Sequence, residues 1–140
     1  MANQDLTDQD LKLINLAKAT AKKYITERWE GDRISSVAAC VRMKSGQVYC
    51  GPNIKHPHSS PSSLDAENTA LAVAYANGER EAEVIIAYHY ADEDHQGVVS
   101  PCGQCREFLR LFGDPQVIVE GEKGLEKRSL LELLPNSENF

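Results

Sequence analysis

Residues 98–113 read VVSPCGQCREFLRLFG, and this stretch decides the fold. Pro101 suits the first turn of a helix, apolar side chains then recur at helical spacing, and Gly113 provides a stop. Short apolar runs precede and follow this helix at 84–90 (VIIAYHY) and 116–120 (QVIVE), and such runs are typical of buried strands. The sequence therefore predicts a strand, a helix and a second strand at the centre of the domain.

Helices and strands alternate outward from this unit. The further elements predicted are an amphipathic helix over 7–28 with a capping box, a β-hairpin of 36–43 and 47–51, an irregular loop over 52–64, a helix from 65 to 78, a polar loop over 91–96 and a capped short helix over 130–134. This order implies one α/β domain over 1–140, in which helices cover both faces of a sheet.

Composition narrows the class of protein. The chain has 140 residues, of which 41% are hydrophobic, and its net charge is -6. That charge disfavours dedicated nucleic-acid binding, and no apolar stretch approaches the length of a membrane span. The sequence shows no export signal, so we expect a cytoplasmic protein with reduced cysteines. Cys40 and Cys50 lie in strand-like segments and are expected to pack as free thiols in the core.

Two other cysteines indicate a metal-binding or redox site. Cys102 and Cys105 lie three residues apart at a predicted helix start, a position that favours thiolate. The pair alone fits a metal site and a redox dithiol equally well. A second helix start offers Asp65, a third potential ligand, and a free carboxylate at Glu67. A dithiol mechanism has no use for these carboxylates, so a metal centre is the favoured interpretation.

This pattern resembles the zinc-dependent cytidine deaminase superfamily, whose signature is H-x-E followed by P-C-x-x-C. Cys102 and Cys105 match its thiolate ligands, and Glu67 matches its proton-shuttling glutamate. Asp65 stands where the family has His or Cys. Asn53 matches the asparagine at the strand end before the active-site loop. The likeness spans nearly the whole chain and is greatest to the small nucleoside-type branch, which includes cytidine deaminase and blasticidin-S deaminase.

The resemblance implies a three-layer α/β/α fold with a central mixed sheet of about five strands. It also implies a zinc-dependent hydrolase that releases the 4-amino group of a cytosine nucleoside or analogue as ammonia. The implied assembly is a homotetramer, or a homodimer, without a nucleic-acid or membrane partner. The implied metal ligands are Asp65, Cys102 and Cys105, the catalytic residue is Glu67, and the substrate contacts are Asn53, Lys55, Ala66, Ser100 and Pro101.

Asp65 admits three interpretations. A carboxylate oxygen is an accepted zinc ligand, so Asp65 is first interpreted as a working ligand. Asp is also a favoured N-cap residue, which would suit a weakened or inactive site in a protein that serves as a binding module. The third interpretation is a substitution that weakens a site built for Cys or His.

Lys55 is the second departure from the family, which has a glutamate for the ribose at this position. A cation there suggests a substrate with a carboxylate or phosphate, and a solvated loop lysine is the alternative. His56 and His58 are expected to be loop or substrate contacts. For Arg106 and Glu107, solvated or intersubunit positions are favoured over catalytic ones.

Overall fold

A mixed six-stranded sheet organises the protein. The computed structural model describes residues 6–25, 35–56 and 58–134. The helices are α1 (Asp8–Ile25), α2 (Ala66–Ala76) and α3 (Gly103–Leu109), and the strands are β1 (Ser36–Met43), β2 (Val48–Pro52), β3 (Ala82–Asp92), β4 (His95–Val99), β5 (Gln116–Gly121) and β6 (Gly124–Ser129). Short 3₁₀ helices occupy Arg110–Phe112 and Leu130–Leu133. Within the described ranges, no helix combines the length and the apolar character needed to cross a membrane.

The strand order is β2-β1-β3-β5-β6, and β4 pairs with β3. All pairs are antiparallel except β3 with β5. One face packs on α1, whereas the other packs on α2 and the helical segment 103–112. Alternate side chains of β3 divide between the two faces, since Val84 and Ile86 join the α1 side and Ile85 joins the other. The three-layer prediction is confirmed, and the sheet has one strand more than expected.

The first and last helices begin as the sequence predicts. Thr7 and Asp10 form a reciprocal capping box, in which the Thr7 N–H donates to the Asp10 carboxylate and the Asp10 N–H donates to the Thr7 hydroxyl. Ser129 and Glu132 form the same motif at the C-terminal 3₁₀ helix. The predicted end of the first helix at residue 28 lies outside the described residues.

Two strands, β4 and β6, were not predicted from the sequence. The predicted polar loop over 91–96 is largely strand, since β3 continues to Asp92 and β4 begins at His95. The stretch Gly124–Ser129, for which no element was predicted, is β6 at the sheet edge. Both missed strands are mostly half-buried and rich in polar side chains, so backbone pairing rather than an apolar pattern defines them. The helix predicted from Pro101 begins later, at Gly103, and passes into a 3₁₀ turn before Gly113.

The expectation of free thiols at Cys40 and Cys50 is wrong in this structure. The β1–β2 register sets the two residues directly opposite each other, and their sulfurs form a disulfide. Cys40 is fully buried and packs with Val84 and Ile86 beneath α1, so the predicted core position is confirmed while the predicted redox state is not.

Gly51 controls how closely α2 approaches the sheet. A Cβ atom on this residue would lie 2.6 Å from the Thr69 Cγ2 atom and 3.0 Å from the Ala70 backbone nitrogen. These distances are too short for any larger residue without a shift of the helix. The contact therefore fixes the first half of α2, which carries Glu67, against the end of β2.

Asp10 also ties three elements together beneath α1. Its side chain is 0% exposed, and its carboxylate accepts hydrogen bonds from Thr7 and Arg42 and pairs with Lys127 on β6. Burial by itself raises the pKa of Asp10, but the Thr7 N–H and the Lys127 and Arg42 cations outweigh it and lower that pKa to about 2.

We expect Asp10 to make the free energy of unfolding decrease as the pH is lowered. Its pKa is lower in the folded protein than its ordinary value of 3.8, so its contribution is complete above about pH 4 and is lost as the pH falls through 2. The contribution is about 2 kcal/mol from the size of this shift. Urea unfolding of wild type and Asp10→Asn, measured at pH 7, 4 and 3, tests this expectation. The gap between the two proteins should narrow with acid, and a constant gap would contradict it.

Candidate metal centre and active site

The N-terminal ends of α2 and α3 lie next to each other, as the sequence predicts. Asp65 is the N-cap residue of α2, Cys102 is the N-cap residue of α3, and Cys105 lies in the first turn of α3. Cys105 is buried, whereas Asp65 and Cys102 are exposed, so the group is open on one side. A metal centre that protein covers on one side and that is open to solvent on the other can admit water or substrate. Catalytic zinc sites have this opening, whereas structural sites are closed.

Three ligand atoms converge there. The Asp65 Oδ2 atom lies 3.0 Å from the Cys105 Sγ atom and 3.5 Å from the Cys102 Sγ atom, and the two sulfurs are 3.5 Å apart. Among the described residues, this is the group of three or more His, Cys, Asp or Glu side chains whose ligand atoms are close enough to share an ion. The sequence prediction of the three ligands is consistent with this geometry.

The Asp65 side chain does not cap α2. The Asp65 carbonyl accepts from the Thr69 backbone N–H, which starts the helix, but its carboxylate makes no capping hydrogen bond and faces the thiols instead. The interpretation of Asp65 as only a helix cap is therefore wrong. The carboxylate is directed toward the two sulfurs and not toward its own helix.

The two thiols and the Asp65 carboxylate cannot easily all be ionised at once without a bound cation. Burial raises the pKa of the Cys105 thiol far above its ordinary value, and the Asp65 carboxylate that accepts its hydrogen raises it further. The helix start favours thiolate, but at Cys105 burial and the neighbouring acids Asp65 and Glu67 oppose it when no cation is bound. A bound cation reverses this balance, since it stabilises the thiolates and the carboxylate together.

Zinc suits the donor set. Zinc accepts thiolate at about 2.3 Å and carboxylate oxygen at about 2.0–2.2 Å, so a tetrahedral ion separates its ligand atoms by about 3.6–3.8 Å. The observed separations of 3.0–3.5 Å are shorter, so the three side chains would move apart to hold the ion. Two thiolates also favour zinc over magnesium or calcium, which prefer oxygen ligands.

Glu67 lies beside this centre in the first turn of α2. Its side chain is only 6% exposed, and its charge contributes to the raised pKa of Cys105, so the two groups interact. Burial raises the pKa of the Glu67 carboxyl and the Asp65 charge raises it further, although the Glu67 backbone N–H opposes them. A carboxylate whose pKa is raised is a stronger base than an ordinary carboxylate, which suits a group that accepts a proton during a reaction.

A polar cavity of about 470 Å³ adjoins Asp65. Its walls include Asn53 and Lys55, so the structure brings these two predicted substrate residues to the metal group. The Asn53 side-chain oxygen accepts from the Val37 N–H, which fixes its orientation beside the start of β1. The remaining lining residues come from the active-site loop: Ile54, His56, His58, Ser59, Ser60, Ser63 and Leu64.

A second cavity of about 440 Å³ shares Asp65, Ser60 and Ser63 with the first and adds Gln104. Gln104 is one of the two residues between the cysteines, and its place beside Asp65 was not predicted. No short motif in the sequence indicates this position, because only the folded loop shows that the cavity reaches Gln104.

The other predicted substrate residues flank the ligands. Ala66 and Pro101 are buried and adjoin Asp65 and Cys102 in the chain, and neither lines the two cavities. Ser100 is exposed, and its hydroxyl accepts a hydrogen bond from Arg106.

The histidines do not join the metal group. The His58 backbone N–H donates to the His56 Nδ1 atom, and both histidines line the cavity as loop residues, which is consistent with the loop or substrate contacts expected from the sequence. His95 pairs with Asp92 at 2.8 Å in the turn between β3 and β4.

The position of Arg106 differs from the predicted one. It was expected to be solvated or intersubunit, but it is partly buried and donates to three groups of its own chain. Glu107 is exposed and pairs with Arg110, which agrees with its predicted solvated position.

Known proteins of similar sequence support the interpretation of this group as a metal centre. The sequence profile of the cytidine and deoxycytidylate deaminase zinc-binding region matches residues 7–120. The blasticidin-S deaminase of Bacillus cereus is 33% identical over an alignment of 140 positions, which covers 96% of this chain and 96% of that protein. A cytidine deaminase of Shewanella sp. (strain W3-18-1) is 32% identical over 126 residues, covering 89% of this chain but 37% of that protein. This chain thus spans little more than a third of the Shewanella enzyme.

Solved structures share the fold. The cytidine deaminase of Burkholderia pseudomallei superposes with a TM-score of 0.73 and 26% identity, covering 95% of this chain and 100% of that one. The cytidine deaminase of Mycobacterium leprae gives a TM-score of 0.69 at 21% identity and covers 94% of this chain and 100% of its own, which supports the fold alone. Fold and site together define an enzyme of the hydrolytic deaminase class. The chain belongs to the cytidine and deoxycytidylate deaminase family.

Proposed function

We propose that this protein is a zinc-dependent hydrolase that converts the 4-amino group of a cytosine nucleoside or nucleoside analogue to a carbonyl and releases ammonia. The observation that carries the proposal is the convergence of Asp65, Cys102 and Cys105 beside the buried Glu67. The three ligand atoms suit zinc, and Glu67 lies two residues from one of them. The family relationship gives the reaction class.

Glu67 moves the protons in this mechanism. Zinc, when bound by Asp65, Cys102 and Cys105, supplies the Lewis acidity that makes water a nucleophile near neutral pH. Glu67 accepts a proton from the attacking water and donates it to ring N3. It then accepts the second proton of the same oxygen, as the C4 carbonyl forms, and delivers it to the departing amine, which leaves as ammonia. Its burial supports this role, because a raised pKa makes the carboxylate a stronger acceptor of the proton from water.

The substrate is proposed to occupy the polar cavity beside Asp65. Asn53 is held there by Val37 and is suited to contact a sugar hydroxyl. The backbones of Ala66, Ser100 and Pro101 flank the ligands and would orient the water and the amine. The cavity walls combine imidazole, ammonium and hydroxyl groups, so they suit a polar ligand with several hydrogen-bond acceptors.

The test is a panel of cytosine nucleosides, cytosine nucleotides and peptidyl cytosine nucleosides. Loss of the amino group is followed by ultraviolet absorbance and by ammonia release, with Glu67→Gln as the inactive reference. The proposal expects ammonia from at least one member of the panel in equal amount to the product. A zinc-loaded protein that binds these compounds and releases no ammonia would instead be a binding module with a deaminase fold.

Lys55 is proposed to select substrates by charge. If it contacts a carboxylate or phosphate, Lys55→Glu should lower kcat/KM for the best anionic substrate by about 10- to 100-fold, since a charge-assisted contact of about 1.5–3 kcal/mol is replaced by repulsion. Neutral cytidine should be unaffected or improved. Steady-state kinetics on both substrate types measures this.

The control for Lys55 is Lys44→Glu. Lys44 is an exposed residue of the β1–β2 turn, and its replacement changes the net charge by the same amount far from the cavity. Equal responses of anionic and neutral substrates to Lys55→Glu, or equal effects at both lysines, would assign Lys55 to the solvated loop.

A homotetramer, or a homodimer, is proposed on the precedent of the family, together with a cytoplasmic location. Light scattering in solution determines the number of subunits. The Cys40–Cys50 disulfide is the observation that weighs against the cytoplasm, because disulfides are rare in reducing compartments.

A further inference from the structure

The Arg106 side chain connects three backbone segments. Its Nε atom donates to the Pro101 carbonyl at 2.9 Å, and its Nη2 atom donates to the Ser100 hydroxyl at 3.1 Å. Its Nη1 atom donates to the Leu133 carbonyl at 3.0 Å. One guanidinium therefore joins the loop before Cys102 to the C-terminal 3₁₀ helix.

Few other side chains could make these contacts. Leu133 is the last residue of its 3₁₀ helix, and carbonyls at helix ends have no partner within the helix. The Pro101 carbonyl likewise precedes α3 and accepts no helical bond from it. A planar guanidinium presents donors in fixed directions, whereas a lysine ammonium is a single point charge on a flexible stem. The site thus depends on the shape of arginine as well as on its charge.

The position of Arg106 in the chain matters as much as its contacts. It directly follows Cys105, and both loop residues that it holds directly precede Cys102. The side chain therefore spans the Cys-x-x-Cys turn and connects its two sides. Rotation of the Pro101–Cys102 peptide would break the hydrogen bond to the Pro101 carbonyl, and movement of the Ser100 backbone would strain the bond to its hydroxyl.

We infer that Arg106 is a positioning residue, which fixes the Ser100–Pro101 backbone and the Cys102 ligand relative to Glu67 and couples them to the C-terminal 3₁₀ helix. The inference rests on the proposed function, since this backbone flanks the reacting amine there. Arg106 itself need not touch the substrate. Its removal should harm the chemical step more than substrate binding, because the cavity walls at Asn53 and Lys55 remain unchanged.

The experiment compares Arg106→Gln and Arg106→Lys with Arg128→Gln. Arg128 contacts the same 3₁₀ helix through Glu132 but makes no contact with the loop, so it is a matched control. Both Arg106 variants should lower kcat by about 10- to 100-fold while KM changes by less than about 3-fold, as expected for a displaced reacting geometry. Arg128→Gln should behave as wild type. If Arg106→Gln does not fold, Arg106→Lys, which keeps the charge, provides the test.

A second measurement does not depend on activity. Wild type and variants loaded with Co²⁺ are compared by visible absorption, because thiolate-to-cobalt and ligand-field bands report the arrangement of the ligands. Altered bands are expected in both Arg106 variants and not in Arg128→Gln. Full kcat with unchanged bands in Arg106→Lys would overturn the positioning role, because charge alone would then be sufficient.

The two proposals fail in distinguishable ways. A cobalt-loaded wild type with normal thiolate bands but no turnover of any substrate would overturn the proposed function, and the spectra of the variants would still decide the role of Arg106. Normal turnover in wild type with wild-type kinetics and spectra in both variants would overturn the inference about Arg106 alone. A wild type that binds no cobalt would overturn both.

Discussion

Glu67→Gln is expected to abolish turnover while the fold and the bound zinc stay intact. Glutamine has nearly the same shape as glutamate, so the first turn of α2 should pack unchanged, but it cannot exchange protons. The loss should exceed the roughly 10²- to 10⁴-fold typical of one acid–base group, since Glu67 serves several proton transfers. Ammonia release and metal analysis on the same preparation measure both properties.

The chain supplies a matched control for this variant. Glu107 follows Cys105 by two residues, just as Glu67 follows Asp65, but it is exposed and pairs with Arg110. Glu107→Gln should therefore keep its activity. Unchanged activity in Glu67→Gln would remove Glu67 from the mechanism and would contradict the assignment of the reaction.

Substitution of Asp65 should separate the remaining interpretations of this residue. Asp65→Asn keeps the size of the side chain but is a poor zinc ligand, so zinc affinity should fall by more than about 100-fold, since loss of even an outer contact to a ligand costs 10- to 100-fold. Asp65→Cys and Asp65→His should retain zinc, because both residues are established ligands. Competition with a chelator of known affinity gives the values.

Each outcome at Asp65 has a different meaning. Full zinc affinity in Asp65→Asn would show that the carboxylate is not a ligand. Higher activity in Asp65→Cys or Asp65→His than in the given sequence would indicate that Asp65 weakens a site built for a softer donor. Equal or lower activity in these variants would support Asp65 as the working ligand.

Much of the fold could be predicted because local signals and the global pattern agree. The Thr7 and Ser129 capping boxes start their helices, and the apolar run 84–90 forms the central strand. Strand β6 could not be predicted in this way. It lies at the sheet edge with mostly half-buried side chains, so its pairing with β5 comes from tertiary structure rather than from its own pattern.

The cysteines show where the sequence argument went wrong. The redox state of Cys40 and Cys50 was inferred from the expected compartment, although the predicted hairpin contained better information. Pairing Met43 with Gln47 across the turn and counting outward sets residue 40 opposite residue 50. The register of the hairpin, and not the cellular context, predicts the contact.

The candidate site was accessible from sequence only where its chemistry has fixed spacing. The Cys-x-x-Cys motif and the Asp-x-Glu motif each lie at a helix start, so their positions could be predicted. The contact of Arg106 with Leu133 could not, because the two residues are 27 positions apart and no short motif records such a contact. Gln104 was likewise missed, because only the folded loop shows that a cavity beside Asp65 extends to it.

Zinc content is the most direct test of the central claim that Asp65, Cys102 and Cys105 form a metal centre. Protein purified without added metal and without chelator should contain about one zinc per chain by elemental analysis, because two thiolates and a carboxylate form an open three-ligand site. A protein without zinc, in which Cys102 and Cys105 form a reversible disulfide, would contradict the account and identify the motif as a redox pair.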